Sequence, residues 1–335
     1  MFKGLNENRM IAQARAHGKS HTPFMELIIL FILMLITSQI SSVALMPALF
    51  FLLYSDPQIA ELMMSGTADY NVLVEKMYNL LLNTPEWMNI LSLFLTLIII
   101  FGAVIYCTKI EKRPISSMGF VKRGIFPEYL VGLVLGALMM GAVVLLSVLS
   151  GVVTYNGVAD FNILVIIFYF IGYLIQGMAE ETLFRGYYMV SSAKNTSLVY
   201  SLAMSSLVFA FAHFANNGVT FLGVLNVFLF GLFAGIYVLR RGSLWGIGAL
   251  HAAWNFTQGV LFGFSVSGNT SNAGILKFTQ AEGFDSLNGG AFGPEGGMFT
   301  TLVLFIAIGV LLAANPKKSE LLEHDGSETN INKEV

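Results

Sequence analysis

Charge is what this chain has least of. Only 11% of its 335 residues are charged, against about 25% in an ordinary soluble domain, while 56% are hydrophobic and the mean hydropathy is +0.72. A soluble globular fold is excluded by that balance, and the chain reads as an integral membrane protein. Cysteine is nearly absent too. Cys107 stands alone, so an internal disulfide framework and a multi-cysteine metal site are both excluded, and its place at the end of an apolar run suits packing. The formal net charge of -2 says little about partners, since what matters is where the charges lie along the chain, and nucleic-acid binding has no support. Nor is there a cleavable secretory signal, because twenty-three mostly polar residues precede a first apolar run far longer than the h-region of such a signal.

What is present is a series of apolar runs near the length needed to cross a bilayer. Eight candidate spans lie at about 24–53, 88–107, 128–152, 162–183, 198–216, 219–239, 243–262 and 299–314. The expected fold class is therefore all-α, a polytopic membrane protein with about eight transmembrane helices. Basic residues give an independent reading of the topology, since cytoplasmic loops hold the excess of Lys and Arg. Fifteen of the eighteen fall in alternate segments: four before span one, five between spans two and three, Lys194 between four and five, Arg240 and Arg241 between six and seven, and three after span eight. The opposite segments hold only Lys76 and Lys277. A multi-pass protein of the cell membrane with both termini cytoplasmic is expected.

The organisation is then a cytoplasmic N-terminal tail over 1–23, one membrane domain over 24–315, and a polar, acidic tail over 316–335 expected to be disordered. The loop at 54–87 has helix-compatible stretches at Ile59–Met64 and Tyr70–Leu82, as a short surface cap would. The loop from Gly263 to Gly297 is glycine-rich without periodicity and reads as flexible. Between spans two and three, Ile115 to Gly124 suits either an interfacial segment on anionic lipid or an ordinary basic loop. Internal repeats and paired broken helices are not seen, which disfavours a transporter.

Chemistry concentrates at Gly177-Met178-Ala179-Glu180-Glu181-Thr182-Leu183-Phe184-Arg185, which ends a stretch, Phe161 to Ala179, that carries no charge. Ionisable groups at membrane depth are costly and mark functional sites. On a helix Glu181 and Arg185 share a face, whereas Glu180 is turned by about 100° from Glu181. Glu181 is thus expected to pair with Arg185 and Glu180 to stay free as a general base; the alternative is a satisfied ion-pair cluster at a helix end. His213 lies near the end of span five. His251 and Asn255 stand four apart on one helical face, a pair of hydrogen-bond donors that could steady an oxyanion. The His-Glu-x-x-His zinc motif is absent.

Glu180-Glu181-x-x-x-Arg185, then Phe209-x-x-x-His213, then His251-x-x-x-Asn255, each on a candidate span, resembles the CPBP family of intramembrane proteases, which includes CAAX prenyl endopeptidases and bacteriocin-processing and self-immunity proteins. The resemblance covers about 160–262. It implies an intramembrane endopeptidase in which Glu180 and His213 activate the attacking water, while His251 and Asn255 bind the carbonyl oxygen of the tetrahedral intermediate. Glu181, Arg185 and Phe209 would be structural support. The partners implied are a hydrophobic or lipidated peptide or protein substrate and the lipid bilayer, in bacteriocin processing or self-immunity or CAAX-type cleavage. A non-catalytic immunity or adaptor protein on the same scaffold is the alternative.

The family is described both as metal-dependent and as a metal-free glutamate-type protease. The cofactor expectation is accordingly none or zinc, with Glu180, His213 and His251 able to supply the three protein ligands of an open zinc site. Counting from the inner ends of the spans places His213 nearer the outer end than Glu180 and His251. For the groups to meet, span five must start late, tilt, or come after a re-entrant stretch through Tyr187 to Ser201.

Overall fold

In the computed structural model, residues 8–19, 21–65, 70–82, 84–271 and 273–314 are described. The tail expected to be disordered at 316–335 lies outside them. Every apolar run of the sequence is helical. In chain order the helices are α1 (Arg9–His17), α2 (Pro23–Ser55), α3 (Pro57–Ser65), α4 (Tyr70–Leu82), α5 (Glu86–Ile110), α6 (Ile125–Leu149), α7 (Ile163–Ala193), α8 (Leu198–Ala212), α9 (Phe221–Arg241), α10 (Trp245–Phe256) and α11 (Met298–Ala313). Five of them, α2, α5, α6, α7 and α9, are long and apolar enough to cross a membrane. α8 and α11 are shorter apolar helices, and α10 continues through a π turn at Thr257–Leu261. The architecture is that of an all-α polytopic membrane protein.

Local chemistry sets the helix ends. Thr22 caps α2 by accepting from the Met25 amide at 3.2 Å, with Pro23 in the first turn, where its missing N–H costs nothing. Asn162, Ser197 and Thr220 cap α7, α8 and α9 in the same way, and Gly242 at φ +63 ends α9 in the left-handed conformation. The loop at 54–87 contains α3 and α4, as its composition suggested.

α10 is the central element, packed on α6 and α7, and the contact with α6 is backbone to backbone. A Cβ built at Gly136 would lie 2.2 Å from the Leu250 carbonyl oxygen, so only glycine fits there. α8 pairs with α9, α9 with α11, and α5 lies between α2 and α7.

The loop expected to be flexible at Gly263–Gly297 is instead built. Its strand β2 (Leu276–Gln280) pairs antiparallel with β1 (Val153–Val158), which comes after α6. Side-chain amides hold the rest: Asn226 on α9 donates to the loop carbonyls of Glu295 at 2.8 Å and Gly297 at 2.9 Å, and within the loop Asn288 donates to Ala281 at 2.9 Å. The glycines lack periodicity because they make tight turns, Gly289 at φ +85 among them.

At the end of the bundle that carries the N-terminal helix, Asn8 and Arg15 tie α1 to the carbonyls of Leu239 (2.8 Å) and Ala193 (2.9 Å). Beneath it lies a fully buried charge cluster. Glu111 is held by Arg113 at 2.7 Å, Lys194 at 2.5 Å and the Ser191 hydroxyl at 2.9 Å. Burial pushes its carboxyl up, but Arg113 and Lys194 outweigh burial and hold it below the ordinary carboxylate range. Glu26 accepts from Tyr187 at 3.1 Å and faces His21 at 3.2 Å and Lys194 at 3.7 Å. Donor atoms of His21, Glu26 and Glu111 lie within 4.8 Å of one another, but the Lys194 ammonium already stands among them as the cation.

Candidate active site

The stretch that carries the carboxylates is not wound as an ordinary helix. After Glu181, α7 widens into a π-helix over Thr182–Met189, a form that recurs at functional sites, before closing again at Val190–Ala193. Glu181 nevertheless meets Arg185, Oε1 to Nη1 at 3.2 Å, with both side chains fully buried. The guanidinium also lies over the Phe209 ring, 4.3 Å from its centroid. Phe209 thereby connects the α7 cluster to α8, which ends in His213.

His251, on α10, is drawn in between the two carboxylates. Its Nδ1 is 3.0 Å from Glu181 Oε1, and its Nε2 is 3.8 Å from Glu180 Oε2. Glu181 is therefore shared between Arg185 and His251 rather than given to Arg185 alone. His213 Nδ1 lies 2.8 Å from the Phe209 carbonyl, which can only accept, so the proton sits on Nδ1 and the Nε2 lone pair is left for the cavity in the neutral ring. Close approach of α7 to α10 makes this possible: a Cβ at Gly177 would sit 2.7 Å from the Ala252 amide nitrogen.

Gln176 is a candidate site residue that the sequence motifs did not include. One turn before Glu180, it donates to Glu180 Oε1 at 2.6 Å and accepts from Asn255 Nδ2 at 2.9 Å. Asn255 and Glu180 are thus fixed relative to each other through one amide, and Asn255 keeps its second N–H. A lone Gln four residues before a carboxylate, inside an uncharged run, was the available signal. Glu295 was also missed. It lies in the built loop, accepts the Ser267 backbone N–H, and shares a small second cavity with His213, His251 and Asn255. Burial pushes its carboxyl above the ordinary range, against the opposing pull of Ser267 and His213.

Glu180, His213, His251 and Asn255 line one cavity of about 470 Å³, as do Gln176 and Phe184. Four side chains from three helices thus face a common space. The depth mismatch between Glu180 and His213 closes because α7 runs on through Tyr187 to Ala193 instead of ending near 183, which moves its inner end. From there Glu180 is about 20 Å along α7, and His213 is about 22 Å along α8 from Leu198. The cavity is roofed by Phe264, Val266, Ser267 and Asn269 of the built loop.

By donor chemistry two imidazole nitrogens and a carboxylate suit zinc, and both histidines have the partner on the far nitrogen that metal-bound histidines use. The spacing does not suit it. Among the described residues, the grouping whose donor atoms converge within 4.8 Å is His21, Glu26 and Glu111, and the set Glu180, His213 and His251 does not converge to that degree.

No curated protein and no solved structure matches the chain. Residues 161–257 match the family model described as type II CAAX prenyl endopeptidase Rce1-like. That segment runs from the start of α7 to the end of α10 and contains all three motifs, so the likeness to that family lies in the part of the chain that carries the candidate site.

Proposed function

We propose that the chain is an intramembrane endopeptidase that hydrolyses a peptide bond by direct attack of water activated by Glu180 and His213. The observation that carries the reading is the Glu180 carboxylate: its Oε1 accepts from Gln176, its Oε2 lies 3.8 Å from His251 Nε2 without a hydrogen-bond partner, and the side chain lines a cavity of about 470 Å³. A carboxylate so placed accepts a proton from water, and the His213 Nε2 lone pair accepts the second water hydrogen and fixes the direction of attack.

The water oxygen bonds to the carbonyl carbon as one of its two protons passes to Glu180, so that hydroxide is what is added. The carbonyl oxygen becomes an oxyanion, which the free N–H of Asn255 and, when it carries a proton, Nε2 of His251 stabilise. Collapse of the intermediate breaks the C–N bond, and the proton held by Glu180 goes to the leaving amine. Glu181 holds His251 in place through Nδ1, and Arg185 with Phe209 holds Glu181. The substrate class is a hydrophobic or lipidated peptide or protein, in CAAX-type cleavage, bacteriocin processing or self-immunity. Both termini lie on the cytoplasmic side of the cell membrane in this reading, as the distribution of Lys and Arg implies.

The test is turnover of a hydrophobic and of a lipidated peptide by the purified protein in liposomes. Glu180→Gln is expected to lower kcat by about 10³-fold and His213→Ala by about 10²-fold, the range general acid–base groups contribute. Undiminished turnover in both variants ends the assignment. An intact cellular phenotype for Glu180→Gln would favour the scaffold reading.

A further inference from the structure

The cavity does not end at the catalytic groups. It runs outward between α2 and α5, where its lining changes from aromatic to hydroxylated: Thr37 and Ser41 on α2, and Asn89, Ser92 and Thr96 on α5. Thr37 with Ser41, and Ser92 with Thr96, are each four residues apart, so each pair forms a row along one helix face. Ser92 is exposed at the surface of the bundle, so the cavity opens sideways there. Such a strip is out of place in helices that are otherwise apolar and face lipid.

The direction of the hydroxyl protons gives the strip its meaning. Thr37 donates to the Leu33 carbonyl at 2.7 Å, Ser92 to Asn89 at 2.7 Å, Thr96 to Leu93 at 2.6 Å, and Ser41 reaches across to Leu95 at 3.5 Å. With their protons directed at helix carbonyls, the oxygens of Thr37, Ser92 and Thr96 offer the cavity lone pairs, and Ser41, only weakly bonded at 3.5 Å, has lone pairs to add. A row of acceptors calls for a row of donors. An intact transmembrane helix has spent its N–H groups internally, and a lipid chain has none, but a main chain unwound for hydrolysis brings N–H groups that would be costly to leave unpaired away from water. Each hydroxyl row spans about 6 Å, the length of about two residues of extended chain.

We propose that the seam between α2 and α5 is a subsite for the extended main chain of a peptide substrate, its N–H groups donating to the hydroxyl oxygens of Thr37, Ser41, Ser92 and Thr96. The proposal rests on the endopeptidase reading for the cleavage step, whereas binding to the seam is measured separately. The variant Thr37→Val, Ser92→Ala, Thr96→Val removes three oxygens and keeps the shape. Two probes are used in liposomes, a fluorescent hydrophobic peptide and the same peptide N-methylated at two adjacent amides beside the scissile bond.

For the parent protein, N-methylation is expected to raise Kd and KM about tenfold, and the triple substitution to do the same with kcat within about twofold, as the loss of two or three net hydrogen bonds requires. In the triple variant N-methylation has little further effect, the non-additivity that marks a direct pairing. Equal N-methylation penalties in parent and variant, or a fall in kcat at unchanged KM, overturns the subsite, the latter making the seam a path for water. Should the triple variant not fold, Ser92→Ala, at an exposed hydroxyl, carries the same comparison. Seam-dependent binding without turnover would sink the enzyme reading and leave the subsite standing.

Discussion

Two buried charge clusters sit along the same helix, and they are built to opposite rules. In the cluster below α1, Glu111, Arg113, Lys194 and Glu26 are saturated: Glu111 has Arg113, Lys194 and Ser191, and the Arg113 guanidinium is spread over Glu111, Ser117, Ser191 and the Gly186 carbonyl. In the site cluster, Glu180 Oε2, Glu181 Oε2, Arg185 Nε and Arg185 Nη2 are buried without hydrogen-bond partners. Unmade hydrogen bonds in a buried site carry a desolvation cost of about 1–3 kcal/mol each, and a cluster of them is a place for a bound water, a ligand or a reaction. Burial and charge are common to the two; the difference is in spare valence, and spare valence is where function should be sought.

Substitutions can break that contrast. The largest effect is expected for Glu180→Gln, which should remove turnover while leaving the unfolding temperature unchanged or higher, because an underbonded charge leaves the interior; a large fall in unfolding temperature would show Glu180 to be structural after all. Glu111→Ala should do the reverse. Removing one partner from a saturated buried set costs about 3–5 kcal/mol, read by denaturant unfolding in detergent, with kcat of the folded fraction unaffected. The sign with pH is set by the lowered carboxyl of Glu111: its stabilisation is complete above about 4.5, the ordinary value, and is lost as pH falls through the lower folded value. Glu111→Gln should flatten that acid limb.

Two smaller effects sharpen the comparison. Gln176→Leu, which unlinks Glu180 from Asn255, should lower kcat about tenfold with KM nearly unchanged, in keeping with loss of one or two hydrogen bonds; a change confined to KM would place Gln176 in substrate binding. Excess strong chelator should alter turnover by less than about twofold, since attack by a carboxylate-activated water needs no ion; abolished activity restored by zinc would reinstate Glu180, His213 and His251 as ligands.

The sequence carried much of this. All eight apolar runs became helices, and apart from the inner end of α7 their limits fall within a few residues of those expected, because a bilayer-length run has few other ways to satisfy its backbone. Motif spacing placed Glu181 with Arg185 and brought His251 and Asn255 to one face. What could not be read was where α7 ends: Tyr187 to Ala193 looked like connecting loop because Arg185 interrupts the apolar run, yet Phe209 and Glu181 absorb that charge inside the bundle. Gln176 was hidden by being uncharged, Glu295 by lying forty residues beyond the last motif, and the order of Gly263–Gly297 by glycines that signal turns as readily as mobility.

The wide-wound stretch Thr182–Met189 connects the two clusters head to tail. Arg185 at its start belongs to the site, and Gly186 and Tyr187 beyond it supply contacts to Arg113 and Glu26. Shortening it by one residue would rotate everything downstream by about a quarter turn or more, misaligning catalytic groups and foundations together. The Glu180 carboxylate is thereby registered against the saturated cluster, much as a tool bit is clamped against the bed of a lathe.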